Sequence, residues 1–175
     1  MMQQQIEVTL RVLIGLPLWG VSRALNLESF QFGLEHTAPI RRGGTKTVGD
    51  YALHVQCAWR IRSSSRIIVA SDDRYSPADE TLTEDDNFEW DVPGANRCDR
   101  RMDEWLAAFA GNYPVVTNVA TDSVGGFSLF LSDDQMLEVF PDNSLTDEYS
   151  EYWRFFKHSS DDKHFVFSGT GFSLE

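Results

Sequence analysis

The stretch that decides the fold runs from Val115 to Phe156 and reads VVTNVATDSVGGFSLFLSDDQMLEVFPDNSLTDEYSEYWRFF. From Phe127 to Leu131 every second residue is a large apolar one, which indicates a strand with one buried face. Asp133-Asp134 predicts a reversal of the chain, and residues 137–140 then form the returning strand. Pro141 ends that strand because proline has no N–H for a ladder. The segment therefore predicts a β-hairpin.

Two aromatic-rich segments after this hairpin predict two further strands. Residues 152–156 (YWRFF) and 164–167 (HFVF) have the composition that strands favour, and a polar segment at 159–162 joins them. Together with the hairpin they predict a four-stranded antiparallel meander.

Composition predicts one packed domain, residues 1–175, and narrows the range of partners. The chain of 175 residues has 42% hydrophobic and 13% aromatic residues, which is enough for a sizeable core. Its net charge of −12 and pI near 4.6 argue against binding to nucleic acid or to an anionic membrane, since both repel an acidic protein that lacks a basic stripe.

The cysteine content and the N-terminal residues indicate where in the cell the protein is expected to be. Cys57 and Cys98 have no paired spacing that would suggest a disulfide framework or a zinc site, and we expect both to be reduced. Residues 3–18 include Glu7 and Arg11 and are too short for a membrane-spanning helix, and they lack the basic start of a signal peptide. The cytoplasm is the expected location.

The first half of the chain contains one ambiguous segment and several strands. Residues 5–14 alternate like a strand but also form a helical stripe that ends before Gly15 and Pro17, and the internal repeat described below favours helix. Residues 18–34 predict a hairpin, and residues 36–50 predict a basic, flexible surface loop. Strands are predicted at 51–61 and 66–70, joined by a serine turn.

A long acidic segment precedes the clearest helix. Residues 72–96 contain two prolines and many acids, and a loop of this length in a compact domain is usually functional or disordered. From Arg97 to Ala110 apolar residues recur at helical spacing, Gly111 ends the pattern, and Asn96 is a candidate N-cap.

The two halves of the chain follow the same order of elements, which predicts an internal duplication. A helix, a Gly, a Pro, several strands and a Trp-Arg dipeptide recur in repeat one (5–71) and repeat two (97–170). The alternative is chance coincidence of short patterns. The predicted fold class is α+β and predominantly antiparallel, with two α-β-β-β-β units in one pseudo-twofold domain that forms either one sheet or two facing sheets.

No set of residues predicts a catalytic, cofactor or metal site. His54 and Cys57 differ by an odd number of positions and would point to opposite faces of one strand, while His36, His158 and His164 are scattered along the chain. The Gly-Gly pairs at 43–44 and 125–126 lack the context of a phosphate-binding loop.

The acidic segment is the best candidate for contact with a partner, and its alternative is a solvated linker between the repeats. The candidate partner-binding residues are Asp79, Glu80, Glu84, Asp85, Asp86, Glu89, Trp90 and Asp91. A structural role is expected for the repeated dipeptides, with tryptophan in the core and arginine paired to an acid or stacked on a ring: Trp59, Arg60, Trp153 and Arg154.

Several segments carry a family resemblance. LEVFPD at 137–142 and EYWR at 151–154, with YALHVQCAWR at 51–60 and DVPGANR at 91–97, are similar to segments of a group of bacterial proteins of unknown function. The resemblance covers most of the chain, residues 13–168, and implies no activity, cofactor or site residue.

The first functional hypothesis is a non-enzymatic acidic binding module for a basic protein partner, of an immunity-like or regulatory kind. Its acidic loops would bind in a salt-sensitive manner. The alternatives are a small-ligand binder or enzyme with its site at the seam between the repeats, and a homo-oligomer that pairs its sheet edges. Immunity proteins are similar to this chain only in general type, as short, acidic and strand-rich proteins, and the comparison carries over no site residue.

Overall fold

A computed structural model describes residues 2–40, 43–82, 88–147, 149–158 and 162–175. The elements it defines are α1 (Met2–Leu10), β1 (Leu18–Ala24), β2 (Leu27–Phe32), β3 (His36–Pro39), β4 (Thr45–Val48), β5 (Tyr51–Val55), β6 (Ala58–Arg62), β7 (Ile67–Ala70), α2 (Arg97–Ala107), β8 (Val116–Thr121), β9 (Phe127–Leu131), β10 (Gln135–Phe140), β11 (Glu151–Lys157), β12 (Phe165–Ser168) and β13 (Gly171–Leu174). Short 3₁₀ helices occupy Arg11–Leu13 and Ser71–Tyr75. The strands in these ranges pair antiparallel, which confirms the α+β, predominantly antiparallel class.

Two sheets face each other across an aromatic core. One has the order β1-β2-β5-β11-β12-β13 and the other β7-β6-β10-β9-β8, while β3 and β4 form a separate hairpin. The Phe30 ring on β2 meets the Trp59 ring on β6 edge-on at 5.2 Å, and Phe127 on β9 meets Trp153 on β11 at 5.1 Å. Edge-to-face contacts of this kind add to the free energy gained by burying the rings.

The chain crosses between the sheets in each half, and the sequence did not predict this. Residues 51–61 are not one strand, because β5 and β6 lie in different sheets. At the crossing the N–H groups of Gln56 and Cys57 both donate to the carbonyl of Tyr152, at 2.8 and 3.2 Å. The predicted four-stranded meander is also wrong, since β9 and β10 belong to one sheet and β11 and β12 to the other.

Strands of the two halves meet in matching register. Trp153 lies opposite Val55 where β11 pairs with β5, and Trp59 lies opposite Val139 where β10 pairs with β6. Pro17 bridges to Val115 just before β1 and β8, and both strands then show a register irregularity. Each half has more strands than the four of the predicted unit. The duplication itself stays a prediction.

The two helices cover edges of the sheets. Residues 2–10 are helical rather than extended, with Ile6 and Leu10 fully buried, and α1 packs against the edge strand β8. The Asn96 side chain accepts a hydrogen bond from the N–H of Asp99 at 2.8 Å, as expected of an N-cap. Helix α2 ends at Ala107, three residues earlier than predicted, and packs against the edge strands β1 and β7. Covered edges resist pairing with another chain.

Two local predictions have different outcomes. Asp133 and Asp134 have left-handed φ values of +62° and +55° and lie in the link between the paired residues Leu131 and Gln135, so the chain reverses where predicted. Residues 36–50 are not simply a loop, because β3 and β4 pair within them. No helix in the described ranges is long and apolar enough to cross a membrane.

Candidate functional site

The predicted partner-binding segment lies beside α2, and part of it can be placed. Glu84, Asp85 and Asp86 lie outside the described residues. The described acids of the set are exposed: Asp79, Glu80, Glu89 and Asp91. The Glu80 carboxylate accepts a hydrogen bond from Arg100 on α2 at 2.6 Å, and that bond holds the pKa of Glu80 below its usual value.

Trp90, also predicted to contact a partner, anchors the loop to the body of the protein. Its ring lies 5.4 Å from the Tyr75 ring and 5.9 Å from the guanidinium of Arg23. Its backbone carbonyl accepts a hydrogen bond from the Asn96 side chain at 2.7 Å. Arg23 in turn donates two hydrogen bonds to Asp99, at 2.7 and 2.8 Å. This loop is therefore attached to β1 and α2 by specific polar contacts.

A cleft of about 260 Å³ opens between β1, β2, the loop and α2. Its polar lining includes Arg23, Glu28, Asp99 and Asp103, and Met102 supplies an apolar wall. We call this the acidic cleft. Three of its four charged side chains are carboxylates, and the guanidinium of Arg23 is held by one of them, Asp99.

Glu28 differs from the other carboxyl groups of the acidic cleft because it is buried and one of its oxygens has no hydrogen-bond partner in the described residues. It lies on the same side of β2 as the core residues Phe30 and Phe32, is 3% exposed, and its Oε2 has no hydrogen-bond partner among the described residues. Burial raises the pKa of Glu28 to about 8, although the nearby Arg74 guanidinium opposes this. At neutral pH the carboxyl group is therefore mostly protonated.

Asp99 and Arg74, two charged residues that act on Glu28, are already hydrogen-bonded to other groups. Burial works against ionisation of Asp99, but its hydrogen bonds from Arg23 and from the N–H of Gly94 hold its pKa below the usual value. Arg74 is buried and donates to the carbonyls of Ser71 and Asn26, at 2.6 and 2.8 Å. Glu28 is thus the buried cleft carboxyl that has an oxygen without a hydrogen-bond partner in the described part of the chain.

Sequence reasoning did not select Glu28, yet a signal was present. Glu28, Phe30 and Phe32 alternate along a predicted strand, so an acid occupies a position whose neighbours two and four residues on are core aromatics. Buried acids without partners cluster at functional sites, which makes such a position a candidate.

A second polar site lies on the outer face of the six-stranded sheet. Rings of three histidines surround Phe156, at 4.9 Å for His54, 5.0 Å for His158 and 4.3 Å for His164. The fourth histidine, His36 on β3, bonds Asp50 at 2.7 Å and acts electrostatically on His158. These histidines are far apart in sequence, as expected, but the fold brings His54, His158 and His164 together around Phe156.

A groove of about 270 Å³ runs along this face and crosses the β5–β11 pairing, where the two halves meet. Its lining includes Trp19, Ser29, Gln31, His54 and His158, and we call it the histidine groove. Gln31 Oε1 accepts from the N–H of Gly49 at 2.9 Å and lies 3.2 Å from His158 Nε2.

The histidine groove combines neutral hydrogen-bonding groups with one cationic side chain, Lys46. Burial lowers the pKa of His54 to about 4 and also lowers the pKa values of His158 and His164, so these rings are uncharged at neutral pH. In the described residues no three His, Cys, Asp or Glu side chains are grouped to hold a metal ion. Cys57 is a buried free thiol, and burial raises its pKa to about 12.

In each of the two Trp-Arg dipeptides the tryptophan lies in the core and the arginine lies outside it. Trp59 is 1% exposed and Trp153 is fully buried, and Trp153 Nε1 donates to the carbonyl of Gly125 at 2.9 Å. Arg60 bonds Glu138 across the sheet at 2.5 Å, and Arg154 bonds Glu151 at 2.8 Å.

Searches of protein-family models, of curated proteins and of solved structures gave no match to this chain.

Proposed function

We propose that the protein is a non-enzymatic binding module for a basic protein partner, of the immunity-like or regulatory kind, and that it binds through the side that carries α2. This acidic face comprises the described acids of the 79–91 segment together with Asp103 and Glu104 of α2, around the acidic cleft. The observation that carries the proposal is the anchoring of Trp90 and its loop by Arg23 and Asn96.

Anchoring matters because it reduces the cost of association. Carboxylates on an ordered loop lose less conformational freedom on binding than carboxylates on a flexible linker. The net charge of −12 would also speed encounter with a basic partner, and the effect would weaken as salt screens it.

A comparison of two charge-matched triple variants tests the proposal. One neutralises the acidic face (Glu89→Gln, Asp91→Asn, Asp103→Asn), and the other removes the same charge from exposed acids elsewhere (Glu35→Gln, Asp133→Asn, Asp134→Asn). Binding to an immobilised arginine-rich peptide is measured at low and high salt.

We expect the face variant to bind at least about threefold more weakly at low salt, from roughly 0.2–1 kcal/mol for each exposed charge. The control variant should bind within about twofold of the wild type, since it alters only distant charge. Equal losses in both variants would show that binding follows net charge and would contradict the assignment to this face.

The histidine groove supports a second candidate function, a small-ligand binder or enzyme at the seam. Its neutral rings, amide and hydroxyl groups suit a hydrogen-bonding ligand such as a sugar or nucleoside, and Lys46, which also lines the groove, disfavours a cationic ligand. A thermal-shift screen with such compounds should give hits that are lost in Ser29→Ala and His54→Phe. A screen without hits at millimolar concentration counts against this candidate.

A further inference from the structure

We infer that the acidic cleft accepts one cationic side chain, an arginine or a lysine of the basic partner, with the Glu28 carboxylate at its inner end as the counter-ion. The inference rests on the proposed function and names the contact that would make the acidic face selective rather than merely acidic.

Glu28 has unmet hydrogen-bonding capacity. Buried polar groups in folded proteins are nearly always hydrogen-bonded, and a buried carboxylate without a partner is costly. Glu28 is 3% exposed, its Oε2 has no partner among the described residues, and the residue lines the cleft. A donor that enters the cleft would supply the missing bond.

The charges around Glu28 leave its carboxyl group without a direct counter-ion. The charged or titratable groups that act on it are Arg23 on β1, Arg74 on the 3₁₀ helix, and Cys98 and Asp99 on α2. Arg23 is paired with Asp99, and Arg74 donates to two backbone carbonyls and forms no ion pair in the described ranges. A visiting cation would therefore meet a carboxyl group that lacks a direct counter-ion.

The volume and lining of the cleft suit a single side chain. At about 260 Å³ it is smaller than the roughly 300–1,000 Å³ of pockets that hold drug-sized ligands, and one long side chain suits it better. Met102 and Val21 can line the methylene stem, while exposed Asp103 lies at the mouth. Arginine and lysine both pair an apolar stem with a charged head.

Proton release follows from this arrangement. Glu28 is mostly protonated at neutral pH, and a bound cation favours its ionised form, so binding would expel a proton. With a pKa of about 8, the ionised fraction and hence the affinity should rise about 30-fold between pH 6.5 and pH 9. Arginine stays charged throughout this range, so the ligand does not contribute to the change.

Calorimetry with short capped peptides tests the inference. The probe has one arginine between glycines, the second probe has lysine, and the control has citrulline, which keeps the shape of arginine without its charge. We expect the cationic peptides to bind with proton release and the citrulline peptide to bind at least about tenfold more weakly.

Three variants complete the experiment. Glu28→Gln should weaken binding at pH 9 at least about tenfold and abolish its pH dependence, and Val21→Phe, on the same side of β1 as Arg23, should weaken it by narrowing the cleft without a change of charge. Glu138→Gln is the control, because that carboxylate already pairs with Arg60 and Arg62 on the other sheet. Denaturation curves confirm that each variant is folded.

The outcomes separate the inference from the proposed function. If the single-cation peptides do not bind, or bind independently of pH and of Glu28, the inference is overturned. An arginine-rich peptide that still distinguishes the two triple variants would leave the proposed function standing. Loss of that distinction would overturn the proposed function as well.

Discussion

Glutamine in place of Glu28 is predicted to stabilise the protein, and the gain should grow with pH. The unfolded chain ionises Glu28 near its ordinary pKa of 4.5, whereas the folded protein keeps the proton until about pH 8. Because the folded pKa is the higher one, this group's contribution to stability is fully present below pH 4.5 and is lost as the pH rises through about 8. A neutral glutamine of similar shape undergoes no such loss.

The magnitude follows from the difference between the two pKa values. At 1.36 kcal/mol per pKa unit, the difference between 4.5 and about 8 corresponds to a full loss of about 5 kcal/mol in unfolding free energy, which is reached when the pH is well above the folded pKa. Between pH 5 and pH 8 the advantage of the glutamine variant over the wild type should grow by about 3–4 kcal/mol.

Urea denaturation of both proteins at pH 5, 6.5 and 8 measures this difference, and other titrating groups cancel in the comparison. The matched control is Glu138→Gln, where hydrogen bonds from Arg62 and Arg60 outweigh burial and hold the pKa of Glu138 below its usual value. That variant should be less stable than the wild type at pH 8. A difference between Glu28→Gln and wild type that does not change with pH would refute the reasoning.

Four further substitutions, in three experiments, test the packing and electrostatics. Trp153→Phe should cost about 1 kcal/mol more in unfolding free energy than Trp59→Phe, because Trp153 Nε1 donates to a carbonyl whereas Trp59 Nε1 has no partner in the described chain. Arg23→Leu should destabilise the fold by about 3 kcal/mol, since Asp99, at 14% exposure, loses its counter-ion and keeps only the hydrogen bonds from Gly94 and Asn96, and it should speed proteolysis at 88–95. Burial lowers the pKa of His54 to about 4, so wild-type stability should fall as pH drops from 6.5 towards 4, and His54→Gln should reduce that loss in denaturation curves.

Local patterns predicted the elements whose signals lie within a few residues. The hairpin at Asp133-Asp134 follows from turn chemistry, and α2 follows from a helical stripe with an N-cap at Asn96. The assignment of α1 depended on comparison of the two halves, because its alternating β-branched residues fit a strand equally well.

The pairing of distant segments could not be predicted in the same way. Alternation continues from residue 51 to residue 61, so the sequence gives no sign that β5 and β6 enter different sheets. That crossing depends on Tyr152, whose carbonyl accepts from Gln56 and Cys57 some 95 residues away. The histidine groove has the same origin, since His54 and His158 converge only when β5 pairs with β11.

The acidic segment shows what charge in the sequence predicts about a binding surface and what it does not. Its acids predicted a solvent-exposed surface, and the four described acids of the candidate partner-binding set, Asp79, Glu80, Glu89 and Asp91, are exposed. Charge alone did not distinguish Trp90, which packs against Tyr75 and Arg23, from residues available to a partner. Nor did it indicate the cleft, because Glu28 lies far from the segment in sequence.

Backbone amide shifts during titration with an arginine-rich peptide test the central claim most directly. If the acidic face binds the basic partner, the largest shifts should fall on residues of the cleft and its rim, such as Arg23, Gly94 and Asp103. Shifts centred on His54 and Trp19 in the histidine groove, or no shifts at low salt, would contradict the account.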